Sequence, residues 1–221
     1  MRYKAVLFDL DGTLLDTLHD IADSMNAVLE KNGFAVHPVE RYKKFIGGGV
    51  GDLARRALSD GVDDVTAADI SMQMRKEYAR RWGVKTRLYP GIETMLDGLV
   101  ERNVAISILS NKPDDFTRIM CGHFLGAWPF RMIMGASDAF PKKPDPSAAL
   151  YIARQMEVDP AAFLYLGDSD VDMRTAAAAG MFPAGALWGF RDARELLDHG
   201  AGRLLRKPED LLDLFPRVTA P

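Results

Sequence analysis

Tyr3-Lys4-Ala5-Val6-Leu7-Phe8-Asp9-Leu10-Asp11-Gly12-Thr13-Leu14 is an apolar run that stops abruptly at two aspartates and a glycine. A brief apolar segment closed by polar residues reads as a strand buried on both faces, here Tyr3 to Leu10. Four later segments have the same form: Val104 to Leu109, Phe130 to Gly135, Phe163 to Leu166 and Ala184 to Trp188. Helical patterns lie between them, one marked by Ile92, Met95, Leu96, Leu99 and Val100, another by Ala148, Ala149, Ile152 and Met156. Strands alternating with helices predict an α/β fold, a doubly wound, Rossmann-like parallel sheet covered on both sides.

Residues 17–83 break that alternation. Leu18, Ile21, Met25, Val28 and Leu29 form one helical stripe, Val50, Leu53, Ala54 and Ala57 a second, and Ile70, Met74, Tyr78 and Trp82 a third. No strand signal intervenes. The division expected is a core domain of residues 1–16 and 84–221 with an all-helical domain of residues 17–83 inserted after the first strand. The methionines and aromatics on these stripes are read as core fillers, and Val218 to Pro221 as a loose end.

With 221 residues, 48% of them hydrophobic, the chain has enough material for a sizeable core. A formal net charge of −3 gives no basic surface for nucleic acid. The opening Met1-Arg2-Tyr3-Lys4 is like the start of a signal peptide, but Asp9 cuts the apolar run behind it too short. No stretch is long enough for a membrane span. The single cysteine, Cys121, fits a reducing compartment, so the expectation is a cytoplasmic protein without membrane or nucleic-acid partners, monomeric or homodimeric. Cys121 is read as a half-buried helix residue, and His19, His37, His123 and His199 match no metal spacing.

In an open parallel sheet, chemistry sits beyond the carboxyl ends of the strands. Strand alternation sends Asp9 and Asp11 the same way, and Gly12 permits a sharp turn after them. Two carboxylates aimed at one spot repel, so a proton or a cation must compensate. Three other segments end near the same rim: Ser110-Asn111; Lys142-Lys143-Pro144-Asp145-Pro146; and Gly167-Asp168-Ser169-Asp170-Val171-Asp172. Asp168 closes a strand. Asp172, four residues on, falls in the first turn of a helix and faces the same rim, while Asp170 is read as a helix-start charge.

These four segments, taken in order, resemble the motifs of the haloacid dehalogenase-like hydrolase superfamily, and the likeness extends over nearly the whole chain. It implies a phosphatase in which Asp9 is the nucleophile, Asp11 the acid and base, and Lys143 the active-site cation, with Lys142 left in solvent. It further implies Thr13, Ser110 and Asn111 on the substrate side. The metal expected is Mg²⁺, held by Asp9 and Asp168 through carboxylates and by Asp11 through its carbonyl, with Asp172 ordering a ligand water or Lys143. Four carboxylates, one Mg²⁺ and one lysine would leave a net negative charge, which a proton on Asp11 would relieve.

The helical insertion then corresponds to the superfamily's cap. Phe45-Ile46-Gly47-Gly48-Gly49-Val50-Gly51-Asp52 resembles the cap segment of phosphoglycolate phosphatases, where Gly47, Gly48 and Gly49 would bring backbone amides to a small anion, helped by Lys44 and Arg55. The substrate implied is 2-phosphoglycolate, a small-molecule phosphate ester. A phosphosugar mutase is an alternative on the same core, but the arginine sought in its cap is replaced by Gly49. A dehalogenase would not need the acid at Asp11. A non-catalytic phosphate-binding protein is the third alternative.

Overall fold

The computed structural model describes residues 3–58 and 60–215, so the expectation for Val218 to Pro221 lies outside the described residues. The first strand, β1 (Ala5–Phe8), is followed by the two-residue β2 (Leu15–Asp16) and four helices: α1 (Leu18–Lys31), α2 (Tyr42–Phe45), α3 (Val50–Ala57) and α4 (Asp64–Tyr78). The chain returns through β3 (Arg87–Leu88) and then alternates: α5 (Ile92–Glu101), β4 (Ala105–Pro113), α6 (Asp114–Phe124), β5 (Met132–Ala136) and α7 (Ser147–Gln155). It ends with β6 (Phe163–Gly167), α8 (Asp170–Ala178), β7 (Phe182–Ala186), α9 (Ala193–Asp198) and β8 (Arg203–Leu205).

Six strands make one sheet in the order β5-β4-β1-β6-β7-β8, every pair parallel. This is the doubly wound α/β architecture the alternation predicted. Alternation along β1 feeds two separate cores. Val6 and Phe8 pack with Ile106, Ile108, Leu164, Leu166 and the α5 residues Met95 and Leu96. Ala5 and Leu7 pack on the other face with Phe163, Tyr165, Ala149 and Ile152. All four β1 side chains are fully buried, which is why the strand reads as an unbroken apolar run rather than an alternating one.

From β1 the chain moves outward to β4 and β5, then returns to β6 on the opposite side of β1. The winding therefore reverses between β1 and β6, and ligands bind at such reversals, beyond the strands' carboxyl ends. Asp9 and Asp168 leave the sheet there.

Helices α1, α3 and α4 each bury a stripe: Ile70, Met74 and Tyr78 lie on α4, which packs against both α1, with Ile21, Met25, Val28 and Leu29, and α3, with Leu53, Ala54 and Ala57. No strand lies between β2 and β3 among the described residues. Both connections of this helical segment are pinned together. β2 and β3 pair antiparallel, Leu15 with Leu88 and Asp16 with Arg87. Beside them the buried Asp20 carboxylate accepts hydrogen bonds from the Lys85 amide (2.9 Å), the Thr86 amide (2.8 Å) and the Thr86 hydroxyl (2.8 Å). Asp20→Ala would orphan these donors. The expected cost is about 3 kcal/mol, a fall in thermal midpoint of roughly 6–12 °C by circular dichroism. An unchanged midpoint would mean the clamp is dispensable.

Several strand limits differ from the periodicity. β4 runs on to Pro113 because pairing with β5 resumes at Pro113 and Ala136 after an irregularity, so the Ser-Asn-Lys segment lies within the strand. β5 starts at Met132, because Phe130 instead packs edge-on against Phe8 with ring centroids 6.4 Å apart. β7 covers Phe182–Ala186, and the predicted Leu187 and Trp188 turn back over the site, where the Trp188 indole N–H donates to the Thr13 carbonyl at 2.9 Å. Cys121 is buried rather than half-buried, at 1% exposure, and burial pushes its thiol up to about 12.

Candidate active site

Asp9 follows β1 with its amide bonded to the Leu166 carbonyl of β6 (2.9 Å), which fixes its backbone at the sheet rim. Gly12, at φ +85°, makes the turn behind it. A Cβ there would run into the Asp168 carboxylate and the Phe190 ring, so only glycine lets the turn pass so close to the acid. Thr13 is fully buried and donates to Asp168 Oδ1 at 3.3 Å. It supports an acid rather than lining the cavity.

Asp168 leaves β6 at 1% exposure, its Oδ2 accepting from the Phe190 amide at 2.7 Å. Asp172 sits in the first turn of α8 with Oδ2 tied to the Ser169 hydroxyl (2.6 Å) and amide (3.1 Å) in a reciprocal cap. Its Oδ1 meets Lys143 Nζ at 2.6 Å, and the same ammonium stands 2.9 Å from Asp9 Oδ1. Burial pulls the Lys143 ammonium down, but Asp172 and Asp9 more than offset it and hold the group well above its ordinary value. Lys142, by contrast, is exposed.

Burial, then the charge of Asp172, raises Asp9 from 3.8 to about 7. Asp168 is pushed well above the carboxylate range by burial, then by Asp172 and Asp9. One ligand oxygen from each of Asp9, Asp168 and Asp172 lies within 4.8 Å of the others. Asp9 Oδ1 is buried, and the Lys143 ammonium is the cation beside it. Three crowded, buried carboxylates are the donor set of a hard divalent cation. The carboxylate of Asp11 is not part of this group.

Asp11 instead faces a residue that sequence reading left out. Lys112 Nζ lies 2.9 Å from both Asp11 oxygens, and 4.6 Å from the centroid of the Tyr78 ring of α4. Lys112 is 7% exposed; desolvation lowers its affinity for the proton, Asp11 and Tyr78 more than restore it, and the net shift is upward. The site thus sets four carboxylates against two ammonium groups, so the charge count from the sequence was one cation short. Lys112 adjoins Ser110-Asn111, but an isolated lysine after a strand carries no signal of its own.

The cavity above these groups is lined by Asp9, Asp11, Ser110, Asn111, Lys112, Asp168 and Ser169 from the core, and by Ile21, Ile46, Gly47, Gly49, Val50, Leu53, Met74, Arg75 and Tyr78 from the helical segment. Gly48 is not among its lining residues, and Lys44 and Arg55 are engaged elsewhere, with Glu195 (2.8 Å) and Asp64 (2.7 Å). Asn111 is a strut as well as a wall. Its amide donates to the Gly47 (2.9 Å) and Lys143 (3.0 Å) carbonyls, and its Oδ1 accepts from the Lys143 amide (2.9 Å). Arg191, also unforeseen, reaches from the loop after β7 to the Ile46 carbonyl (2.8 Å), the Lys43 carbonyl and Glu195 (2.8 Å). His19 is exposed on α1. No helix among the described residues is long and apolar enough to cross a membrane.

Known proteins resemble this chain in sequence and in fold. Residues 6–186 match the family described as Haloacid dehalogenase-like hydrolase. The chain is 32% identical over 202 residues to the phosphoglycolate phosphatase of Nitrosospira multiformis, covering 88% of each. It is 31% identical to phosphoglycolate phosphatase 1 of Pseudomonas aeruginosa, over 95% of this chain and 78% of that one. A crystal structure from Lactobacillus delbrueckii, provisionally assigned as a phosphoglycolate phosphatase, superimposes with a TM-score of 0.92 at 27% identity, over 97% of this chain and 99% of that one.

Proposed function

The chain belongs to the haloacid dehalogenase-like hydrolase family, and from that premise we propose that it is a Mg²⁺-dependent phosphatase of 2-phosphoglycolate. It is a phosphoric monoester hydrolase by relationship; the metal and the substrate are our reading. The observation that carries the chemistry is Asp9, a buried carboxyl lining the cavity, paired with the Lys143 ammonium at 2.9 Å and crowded by Asp168 and Asp172.

In this reading Asp9 attacks phosphorus and becomes the aspartyl-phosphate, while Asp11 gives a proton to the leaving oxygen and later takes one from the hydrolytic water. Lys143, held by Asp172, and Ser110 neutralise the phosphoryl oxygens. Asp9 and Asp168, with Asp172 at hand, would hold Mg²⁺. Bound there, the ion would supply charge stabilisation to the phosphoryl group and offset the repulsion among the acids. Residues 17–83 act as a cap over a core of 1–16 and 84–221, excluding water and choosing the leaving group. The single buried thiol and the small-molecule chemistry fit a cytoplasmic enzyme.

The mutase alternative has little room. A Cβ on Gly49, at φ +87°, would lie 2.9 Å from the Asn111 carbonyl oxygen, so an arginine could stand there only after the backbone moved. Specificity constants with Mg²⁺ for 2-phosphoglycolate, β-glucose 1-phosphate and pyrophosphate test the reading. Phosphoglycolate is expected to lead by about tenfold or more. Conversion of β-glucose 1-phosphate to glucose 6-phosphate would decide for the mutase, and no turnover of any ester for a binding protein.

A further inference from the structure

Three cations line the cavity among the described residues: Lys112, Arg75 and Arg191. Arg75 is engaged by Asp115 at 2.5 Å and lies over the Phe116 ring, 5.2 Å from its centroid. Arg191 is taken up by Glu195 and two backbone carbonyls. Lys112 differs, because the carboxylate it faces is Asp11, itself a reacting group in the proposed chemistry. We infer that Lys112 is the specificity residue of this site, binding a carboxylate on the substrate's leaving group and so selecting phosphorylated short-chain hydroxy acids.

The inference rests on the phosphatase reading of Asp9 and Asp11, and three observations support it. First, whatever touches the leaving oxygen touches Asp11, and Lys112 is one hydrogen bond beyond, 2.9 Å from both of its oxygens. In phosphoglycolate the carboxylate carbon is two bonds from that leaving oxygen, so it falls in the same neighbourhood. Second, much of the rest of the cavity lining is apolar, including Ile21, Ile46, Val50, Leu53, Met74 and Phe116. Sugar hydroxyls would lose hydrogen bonds to water there with few replacements. A compact anion facing a buried ammonium keeps a charge-assisted bond. Third, Tyr78 of the cap covers the ammonium with its ring, so the cation is enclosed by the element that would close over a substrate. A carboxylate entering the cavity competes with Asp11 for the three N–H donors of Lys112.

The test compares pairs of esters that differ in the carboxylate: 2-phosphoglycolate against ethyl phosphate, and 2-phospholactate against isopropyl phosphate. Wild type is expected to favour the acid of each pair. Lys112→Gln slows both members, because Asp11 loses its partner, but the acid-to-alcohol ratio of kcat/KM should fall about 10- to 100-fold. Lys112→Arg, which keeps the charge, should hold the ratio within a few-fold. Should Lys112→Gln fail to fold, the paired variant Asp11→Asn/Lys112→Met removes both buried charges together. Calorimetric binding of the two esters to it and to Asp11→Asn then gives the same comparison, with the preference expected only where Lys112 remains.

A preference for phospholactate over phosphoglycolate, with the acid-over-alkyl preference lost in Lys112→Gln, would uphold the inference while overturning phosphoglycolate as the substrate. A preference for phosphoglycolate that survives Lys112→Gln would overturn the inference and leave the proposed function standing. Equal wild-type rates on acid and alcohol esters would overturn both.

Discussion

Asp9→Ala is expected to lower turnover by about 10⁴-fold or more, because no other group in the cavity is placed to take the phosphoryl group. The same substitution should leave the metal-free protein folded and raise its thermal midpoint at neutral pH. Asp9 is buried, sits beside Asp172 and Asp168, and is driven up to about 7, all signs of a carboxylate costly to keep. Removing it relieves repulsion, while Lys143 keeps Asp172 at 2.6 Å as its partner. Activity lost and stability gained at one position is the pattern of a strained catalytic group, whereas a structural aspartate would lose both. Initial rates on the preferred ester and thermal unfolding in EDTA are the two measurements, with beryllofluoride and Mg²⁺ as a trap that wild type should retain and Asp9→Ala should not. An alanine variant turning over at more than about 1% of the wild-type rate would remove Asp9 from the role.

Much of the core was legible because its signals are local. An unbroken apolar run such as Ala5–Phe8 occurs where both faces of a strand are covered, and that alone implies helices on both sides of the sheet. All five residues of the α1 stripe, Leu18, Ile21, Met25, Val28 and Leu29, are buried, while the small or polar Asp20, Ala22 and Ser24 buried beside them carry no apolar signal. Among the strands, those missed were the ones whose pairing is not local. β2 and β3 are two residues each and exist because the ends of the helical segment meet, and β8 is a three-residue edge strand held by β7. Nothing in Leu15-Asp16 or Arg87-Leu88 marks a strand until the chain brings them together.

The site divides in the same way. Asp9, Asp168 and Asp172 were readable because strand ends and first helical turns fix where such residues point, and the structure gathers their oxygens together. Lys112 and Arg191 were not. Lys112 matters through Asp11, 101 residues away, and Tyr78 of α4, and Arg191 through carbonyls of Lys43 and Ile46. A lysine or arginine becomes informative only when its buried partners are known. Asn111 was recognised, but three of its hydrogen bonds go to protein, joining the Gly47 loop to the Lys143 segment. Its position in the cavity wall is therefore also a structural one.

Removal of divalent metal is the second large effect expected: chelation should take turnover to background, and Mg²⁺ should restore it. A readout independent of turnover follows from the raised carboxyls. Asp9 titrates at 3.8 when unperturbed and at about 7 in the metal-free fold. Between these values the folded protein holds a proton that the unfolded chain has released, so this contribution to stability falls as pH rises from about 4 to about 7 and is flat above. Asp168, shifted the same way, adds to the fall. Lys143 does not oppose it, because its shift lies above 10.5, outside this window. Mg²⁺ binds the ionised acids and must displace those protons at low pH, so it should stabilise more at pH 7.5 than at pH 5. At a concentration about 100 times its dissociation constant the gain is about 2.7 kcal/mol, roughly 5–10 °C in thermal midpoint for a chain of this size. Asp9→Asn should flatten the pH dependence in EDTA and shrink the response to Mg²⁺. Were Mg²⁺ to stabilise wild type and Asp9→Asn equally at both pH values, the ion would be binding elsewhere, and the crowded acids would need another source of neutralisation.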